Sequence, residues 1–352
     1  MTTDPRDHIY AVLALANEAQ ARLIIPHYDE DVATIFTEFA TFAVKALGQR
    51  NILHVAELSV HSDITRSSWV PDWTTYSADY LSKPDILAES RFSASSYSSW
   101  DGRLTGDGQI LQAQGRLVDV LTDNGCTCAS SESILPLQDL GQRNSRILSE
   151  LEDFINKAKK LATLCIAYPQ TVSADEILCY TCSRENFRLR NLTPRPGEVV
   201  KAMYDYLESL KLDVEKRDVL RTIGIDPGTE DWERGFDAKT ISYLIQHHPL
   251  LLLKVSQQDG QAGRITDAWE AYYLRVVWGS TIVRSGKGYL ASVPKQCRQG
   301  DFITILYGWN TPFLLRRVSE GYQIVGECYV FGMMDGEAMT RGLGAELDFD
   351  IV

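Results

Sequence analysis

The side chains best suited to chemistry in the N-terminal half lie in the run Trp69-Val70-Pro71-Asp72-Trp73, where two tryptophans flank a carboxylate. Proline restricts the backbone between them, so the run holds its side chains in one arrangement. One interpretation is the wall of an apolar cavity with a single polar group, as small-molecule sites usually have. The other is a structural clasp against the N-terminal helix, with Asp72 accepting backbone hydrogen bonds or pairing with Arg6. The clasp is favoured because large aromatic side chains usually serve packing.

A second carboxylate, Glu327, stands beside Cys328 in a run of alternating polarity, so a strand would turn one of the two side chains inward. A buried Glu327 needs a partner, and Arg284 and Arg316 are the expected ones. A structural ion pair is the favoured interpretation, and a catalytic carboxylate is the alternative. Aromatic residues with a polar end could line the mouth of a β unit here: Tyr289, Trp309, Tyr322 and Tyr329.

If the protein is an enzyme, the predicted catalytic residues are Asp72, Tyr289 and Glu327. The predicted substrate-binding residues are Trp69, Trp73, Tyr76, Trp278, Arg284 and Tyr329. Nucleophile elbows, metalloprotease helices and phosphate loops have recognisable spacings, and the sequence contains none of them. The seven cysteines include the pairs Cys126-x-Cys128 and Cys179-x-x-Cys182, which are poorly spaced for zinc. The sequence therefore predicts reduced, structural thiols, no metal and no cofactor.

Composition excludes several classes of protein. The 352 residues are 44% hydrophobic and 23% charged, as in ordinary globular proteins. The formal charge of −12 repels phosphate backbones, so nucleic acid is not an expected partner. No apolar run approaches the ~18–20 residues of a membrane helix, and the polar first residues do not resemble a signal peptide. We expect a soluble cytoplasmic protein, and the sequence leaves a homo-oligomer open.

Hydrophobic spacing predicts the elements that position these side chains. A helix is expected over Asp4–Ala16, where an N-cap is followed by proline, and a second helix over Asp31–Leu47. Residues 143–250 are predicted to be mostly helical. Residues 281–352 contain five short β-like runs that glycine, proline and asparagine turns separate.

The predicted fold class is α+β, with a mostly helical N-terminal and central part and a C-terminal antiparallel β meander or small barrel. Three segments are expected along the chain. Residues 1–125 form a segment of helices and strands, residues 126–280 a helical region, and residues 281–352 the antiparallel β unit. We expect the three segments to form one integrated domain.

Three groups of motifs resemble the fungal heterokaryon-incompatibility (HET) family, and they follow the family's order. The first is the run DPRDHIYAVLALA at Asp4–Ala16. The second comprises Ile25-Pro26-His27-Tyr28 and the run from Ser68 to Trp73. The third comprises Lys287-Gly288-Tyr289, the run PFLLR from Pro312 to Arg316, and the run GECYVFGMMDGE from Gly326 to Glu337. The resemblance is loose, but it extends nearly from end to end.

The chain resembles only the back portion of that family. A full-length member has an N-terminal α/β core with an LSYTWG-like strand and a DAICINQ-like segment, and the sequence contains neither. Nucleotide-directed or death-signalling activity that depends on this core is therefore not expected. Phe331 and Arg317 also stand where the family usually has histidine and proline.

Stand-alone HET-like proteins of fungal secondary-metabolite clusters include Diels–Alder cyclases, so the resemblance implies an enzyme of this kind. The expected activity is a cofactor-independent intramolecular [4+2] cycloaddition of a terpenoid or polyketide intermediate. Such a reaction needs an apolar pocket that holds diene and dienophile close together. It also gains from a hydrogen-bond donor to the dienophile carbonyl. The expected partner is thus a small hydrophobic substrate.

A non-catalytic, HET-derived module for protein recognition or regulation is the alternative function. It would need no cavity, because a protein partner binds an exposed apolar surface. The two functions therefore predict different structures: a cavity of a few hundred Å³ favours the cyclase, and a flat apolar patch favours recognition.

Overall fold

The computed structural model describes residues 4–13, 25–45, 52–56, 66–74, 92–100, 102–127, 140–185, 195–222 and 280–352. Its helices are α1 (Asp7–Leu13), α2 (Val32–Lys45), α3 (Ile52–Val55), α4 (Leu140–Thr163), α5 (Ala174–Ser183), α6 (Pro196–Thr222) and α7 (Glu337–Thr340). Its strands are β1 (Arg103–Thr105), β2 (Ile110–Val120), β3 (Cys126–Thr127), β4 (Ser280–Arg284), β5 (Leu290–Pro294), β6 (Phe302–Leu306), β7 (Phe313–Val318), β8 (Gly321–Glu327), β9 (Tyr329–Val330) and β10 (Ala345–Ile351). Helices occupy the N-terminal and central parts and an antiparallel-rich sheet region the C-terminal part, which confirms the predicted α+β class.

The two N-terminal helices form where the hydrophobic spacing predicts them. Helix α2 begins after Asp31, whose carboxylate accepts a hydrogen bond of 2.9 Å from the backbone N–H of Thr34. This contact satisfies one of the free donors of the first turn. The apolar residues of α2 recur every three or four positions, so one face is buried. Ile9 and Tyr10 of α1 join that face in one hydrophobic core.

A closed barrel of five strands dominates the C-terminal part of the fold. Around it, β2 pairs with β10, β10 with β8, β8 with β7, β7 with β6, and β6 again with β2. All of these pairings are antiparallel except that of β10 with β8, which meet at the register pair Ile351 and Tyr322. Closure removes sheet edges that would otherwise expose unpaired backbone groups. The predicted meander is present as β6–β7–β8, and the strand that closes it, β2, comes from far upstream in the chain.

The hydroxyl of Ser68 lies in the seam between β8 and β10. It accepts a hydrogen bond of 2.9 Å from the backbone N–H of Ile324, and it donates one of 2.5 Å to the carbonyl of Val352. The backbone N–H of Ser68 donates to the same carbonyl at 3.0 Å. Ser68 therefore links two strands that share a single register pair, and the tryptophan run that follows it is fixed to the barrel.

A second sheet, in the order β3–β4–β5–β9, lies against the central helices. Helix α4 packs on β4 and helix α5 on β5, and helix α6 packs on both helices. Together they form a hydrophobic core that includes Phe154, Met203 and Leu290. Ser173 caps the start of α5, because its hydroxyl accepts a hydrogen bond of 3.1 Å from the backbone N–H of Glu176. The helical region that the sequence predicts in the centre of the chain is thus present where the structure describes it.

Closure of the barrel leaves no room for a side chain at Gly115. This residue pairs with Leu306 across β2 and β6. A Cβ atom at Gly115 would lie 2.4 Å from the carbonyl oxygen of Ile305 and 3.0 Å from the Cα of Leu306. Because both are backbone atoms, the strands would have to move apart. We expect Gly115→Ala to lower the free energy of unfolding by roughly 1–3 kcal/mol, measured by chemical denaturation.

Gly197→Ala is the matched control. Gly197 lies at the start of α6, and nothing is found within 4 Å of a Cβ atom added there. The free energy of unfolding of the Gly197→Ala variant should equal that of wild type or exceed it by up to about 1 kcal/mol, because alanine has a higher helix propensity than glycine. Equal denaturation midpoints for wild type and both variants would contradict a barrel closed through β2.

Candidate functional site

A pocket of about 290 Å³ opens between α1, α2 and the extended segment that precedes α2. Its lining is mostly aliphatic and aromatic, with one carboxylate and one imidazole: Ile9, Tyr10, Ile25, His27, Ile35, Glu38, Phe39 and Phe42. Small-molecule sites usually combine an apolar wall with a few polar groups, and this lining has that composition. We call it the α1–α2 pocket.

Hydrogen bonds hold the extended segment over the pocket. The Tyr10 hydroxyl donates to the carbonyl of His27 and accepts from the backbone N–H of the same residue, both at 3.0 Å. The Arg6 guanidinium donates to the carbonyls of Tyr28 at 2.6 Å and Glu30 at 2.7 Å. The Tyr28 hydroxyl donates to Asp7 at 2.8 Å, and this hydrogen bond raises the pKa of Tyr28 above its usual value. The pocket therefore has a fixed outer wall.

Trp73 supports the pocket from behind. Its ring packs edge to face on Phe36 and Phe39, with centroid distances of 5.0 and 5.3 Å. Phe39 in turn lines the pocket. Trp69 is fully buried in the same hydrophobic core. The tryptophan run thus sits one layer behind the pocket, and the ring contacts of Trp73 are with α2, whereas the clasp was expected against the N-terminal helix.

Asp72 fixes the turn at the end of the tryptophan run. One carboxylate oxygen accepts hydrogen bonds from the backbone N–H of Thr74 at 2.9 Å and from its hydroxyl at 2.6 Å. The other lies 3.5 Å from the Arg66 guanidinium, and burial lowers the pKa of that guanidinium although Asp72 opposes the shift. The expected pairing with Arg6 is wrong, because Arg6 forms its ion pair with Asp4 at 2.8 Å. A catalytic role for Asp72 stays a prediction.

Glu327 ends β8 and contacts α3. Its carboxylate lies 3.6 Å from Nδ1 of His54, and the Thr311 hydroxyl lies 3.4 Å from the same nitrogen. Burial raises the pKa of Glu327, but the interactions with His54, the charge of Arg184 and the Thr311 hydroxyl outweigh it, so the pKa lies below its usual value. The expected partners were wrong: His54 takes the place of Arg284, and Arg316 pairs with Asp301 at 2.8 Å.

Tyr329, in the neighbouring strand β9, contacts the end of α5. Its hydroxyl donates a hydrogen bond of 2.7 Å to Glu185. The neighbouring Arg184 guanidinium donates to the hydroxyls of Ser292 at 3.1 Å and Ser280 at 2.9 Å. Arg184 and Glu185 both have the left-handed backbone conformation, with φ of 44° and 52°, which is uncommon for residues other than glycine. A strained backbone persists only where the surrounding structure holds it in place. Here the hydrogen bonds of the Arg184 and Glu185 side chains do so.

The remaining predicted residues lie elsewhere. Tyr289 is buried beside Tyr168, with ring centroids 5.7 Å apart, and Arg284 ends β4. Tyr76 and Trp278 lie outside the described residues. The structure therefore groups Trp69, Asp72 and Trp73 in one place and Glu327 and Tyr329 in another. None of the predicted residues in the described part of the chain lines the α1–α2 pocket.

Sequence analysis did not assign the residues of this pocket to a site. Their signal is the width of the apolar face of α2, where Phe39 and Phe42 extend it beyond the fully buried Phe36 and Ala40. A face of that width predicts burial against another element, and spacing alone does not say whether the contact leaves a cavity.

A comparison with protein families bears on the barrel. Residues 253–349 match the family model of the Het-6 beta-barrel domain. The match covers well under half of the 352 residues, and it supports the predicted HET-type family for the C-terminal part of the chain. Neither the curated proteins nor the solved structures contain a match to the chain.

The barrel of this chain extends beyond the residues that match the Het-6 model. Strands β4 to β9 and most of β10 fall within the match, whereas β2 and Ser68, which close the barrel, do not. The α1–α2 pocket also lies outside it. Among the described helices, none is long and apolar enough to span a membrane.

The pair of Glu327 and His54 makes the stability of the barrel depend on pH. The pKa of Glu327 is lower in the folded state than in the unfolded chain, so the ionised carboxylate stabilises the fold. This stabilisation is complete above the unfolded pKa of about 4.3, and it disappears as the pH falls through the pKa of the folded state. We expect Glu327→Gln to lower the free energy of unfolding by roughly 1–3 kcal/mol near neutral pH. This deficit should shrink below pH ~4, measured by denaturation across pH.

Glu320→Gln is the control, because Glu320 is an exposed carboxylate beside β8. It should leave stability within about 0.5 kcal/mol of wild type. A Glu327→Gln deficit that stays constant from pH 7 to pH 3 would contradict an ionised, stabilising Glu327.

Proposed function

We propose that the protein binds a small apolar molecule in the α1–α2 pocket and catalyses its cyclisation without a cofactor. The reaction class is an intramolecular Diels–Alder [4+2] cycloaddition of a terpenoid or polyketide intermediate, of the kind that forms a norbornene. The observation that carries the proposal is the pocket itself: about 290 Å³, mostly apolar, and supported on both sides by fixed contacts.

A cycloaddition makes few chemical demands on a protein. Two carbon–carbon σ bonds form, three π bonds become one, and no atom or proton is gained or lost. The protein contributes by holding diene and dienophile in a reactive arrangement. Binding thereby removes the entropic cost of bringing the two groups together, which the free substrate would bear during the reaction. Ile9, Ile35 and Phe39 supply the apolar surface for this purpose.

His27 is the donor best placed to assist the reaction. It lines the pocket, and an imidazole N–H can donate a hydrogen bond to the carbonyl of a dienophile. Such a bond stabilises the charge that develops on the carbonyl oxygen in the transition state. The Tyr10 hydroxyl is less suited, because it already donates to the His27 carbonyl.

The alternative function, protein recognition, rests on exposed apolar side chains. Ile25 is 67% exposed and Tyr28 53% exposed near the pocket mouth, and Ile166 is 80% exposed elsewhere. A partner protein would cover such residues. Ile25 would contact the ligand in one function and the partner protein in the other. Only the small-molecule site needs an unfilled cavity behind Ile25.

Two equivalent substitutions at exposed isoleucines test the proposal. Ile25→Trp places an indole at the pocket mouth, whereas Ile166→Trp makes the same change on a distant exposed residue. The assay offers linear terpenoid and polyketide trienes with a conjugated carbonyl and compares product formation with the uncatalysed rate. We expect acceleration by wild type and Ile166→Trp, and a loss of about tenfold or more in Ile25→Trp, because the substrate is displaced.

Wild-type protein that accelerates none of the trienes, together with retained binding of a partner protein, would favour the recognition function. Equal acceleration by both variants would place the reaction away from the α1–α2 pocket. Melting temperatures of the two variants serve as the folding control, and both should match wild type because both positions are exposed.

A further inference from the structure

The mouth of the α1–α2 pocket carries a carboxylate, Glu38, whose contacts with the described residues include no hydrogen bond or ion pair. Glu38 lines the pocket and is exposed, one turn along α2 from the buried Ile35. Within the described part of the chain, its side chain makes no hydrogen bond or ion pair. The neighbouring carboxylate Asp31, by contrast, caps α2, and Asp7 accepts from Tyr28. Among the described residues, no structural contact therefore competes with a ligand for Glu38.

The charges of the segments that build the pocket are predominantly negative. Residues 4–13 and 25–45, which build the pocket, contain six carboxylates, and only Arg6 and Lys45 carry a permanent positive charge there. Arg6 is already engaged with Asp4. The local potential is consequently negative, which attracts cations to the mouth and repels carboxylates and phosphates.

Aromatic rings complete the environment that a cation prefers. Tyr10, Phe39 and Phe42 line the same pocket as Glu38. The face of an aromatic ring is electron-rich and attracts an ammonium group, and the attraction grows as the cation leaves water. A carboxylate beside several rings is a combination suited to an ammonium group attached to an apolar body.

We propose that the ligand of the α1–α2 pocket is an apolar molecule bearing a protonated amine. The apolar body occupies the space between Ile9, Ile35 and Phe39, and the ammonium group lies at the mouth against Glu38. This inference rests on the pocket of the proposed function and specifies the class of its substrate. It excludes fatty acids and acyl phosphates, whose charge the mouth repels.

Three probes with one skeleton and different charges test this assignment. They are 2-naphthylmethylamine, which is cationic at neutral pH, 2-naphthalenemethanol, which is neutral, and 2-naphthoate, which is anionic. Their affinities are measured by calorimetry at low ionic strength for wild type, Glu38→Gln, and the distant control Glu320→Gln. Ile25→Trp shows whether the bound probe occupies the pocket.

Wild type should bind the amine about fivefold or more tightly than the alcohol, which corresponds to an exposed ion pair together with a cation–π contact. The carboxylate should bind most weakly. Glu38→Gln should reduce the affinity for the amine severalfold, leave that for the alcohol unchanged, and improve that for the carboxylate. Added salt should weaken amine binding in wild type more than alcohol binding. Glu320→Gln should behave as wild type.

The outcomes separate this inference from the proposed function. Equal affinities for amine and alcohol, unaffected by Glu38→Gln, would overturn the cationic ligand and leave the pocket as an apolar site. No binding of any probe, or binding that Ile25→Trp does not reduce, would overturn both. Tighter binding of the carboxylate than of the amine would also contradict the inference directly.

Discussion

The hydrogen bonds of the Ser68 hydroxyl connect the barrel to the pocket. The serine lies where β8 and β10 share a single register pair, so it completes the closure of the barrel with groups from a distant part of the chain. The residues after it are restricted by proline and end in Trp73, whose ring packs on Phe39 of α2. Since Phe39 lines the pocket, the position of that wall depends on the seam of the barrel.

Several polar and charged side chains among the described residues hold parts of the fold together. Glu327 contacts His54 of α3, while the hydrogen bonds of Tyr329 and Arg184 join the second sheet to the end of α5. Buried charges of this kind add little net stability, but the loss of one partner is costly, so they favour one arrangement over others. The proposed reaction is compatible with polar side chains that are engaged in structural contacts. A cycloaddition depends on the shape of the pocket and on polarisation of the substrate carbonyl, and it needs no nucleophile.

The local elements could be predicted from the sequence, and the long-range contacts could not. Asp4-Pro5 and the spacing of Ile35, Phe36 and Phe39 predict α1 and α2, since capping and amphipathic periodicity depend on near neighbours. Turns with glycine and proline predict the β meander. The pairing of β2 with β6, by contrast, joins segments that no local pattern connects.

The candidate site shows the same limit. Arg284 and Arg316 were the expected partners of Glu327, but the structure supplies His54 from the N-terminal half. An ion pair depends on distance in space, which the sequence does not give. The tryptophan run was correctly singled out as important for packing, yet the cavity lies one layer beyond it. Periodicity identifies an apolar face and does not tell how completely it is covered.

The most direct test of the central claim is a crystal structure of the protein grown with 2-naphthalenemethanol, the neutral probe. The account predicts electron density for one naphthalene ring between α1 and α2, in contact with Ile35 and Phe39, while Trp73 stays packed behind it. A pocket that remains empty while the probe binds elsewhere, or side chains that collapse to fill the space between the helices, would contradict the account.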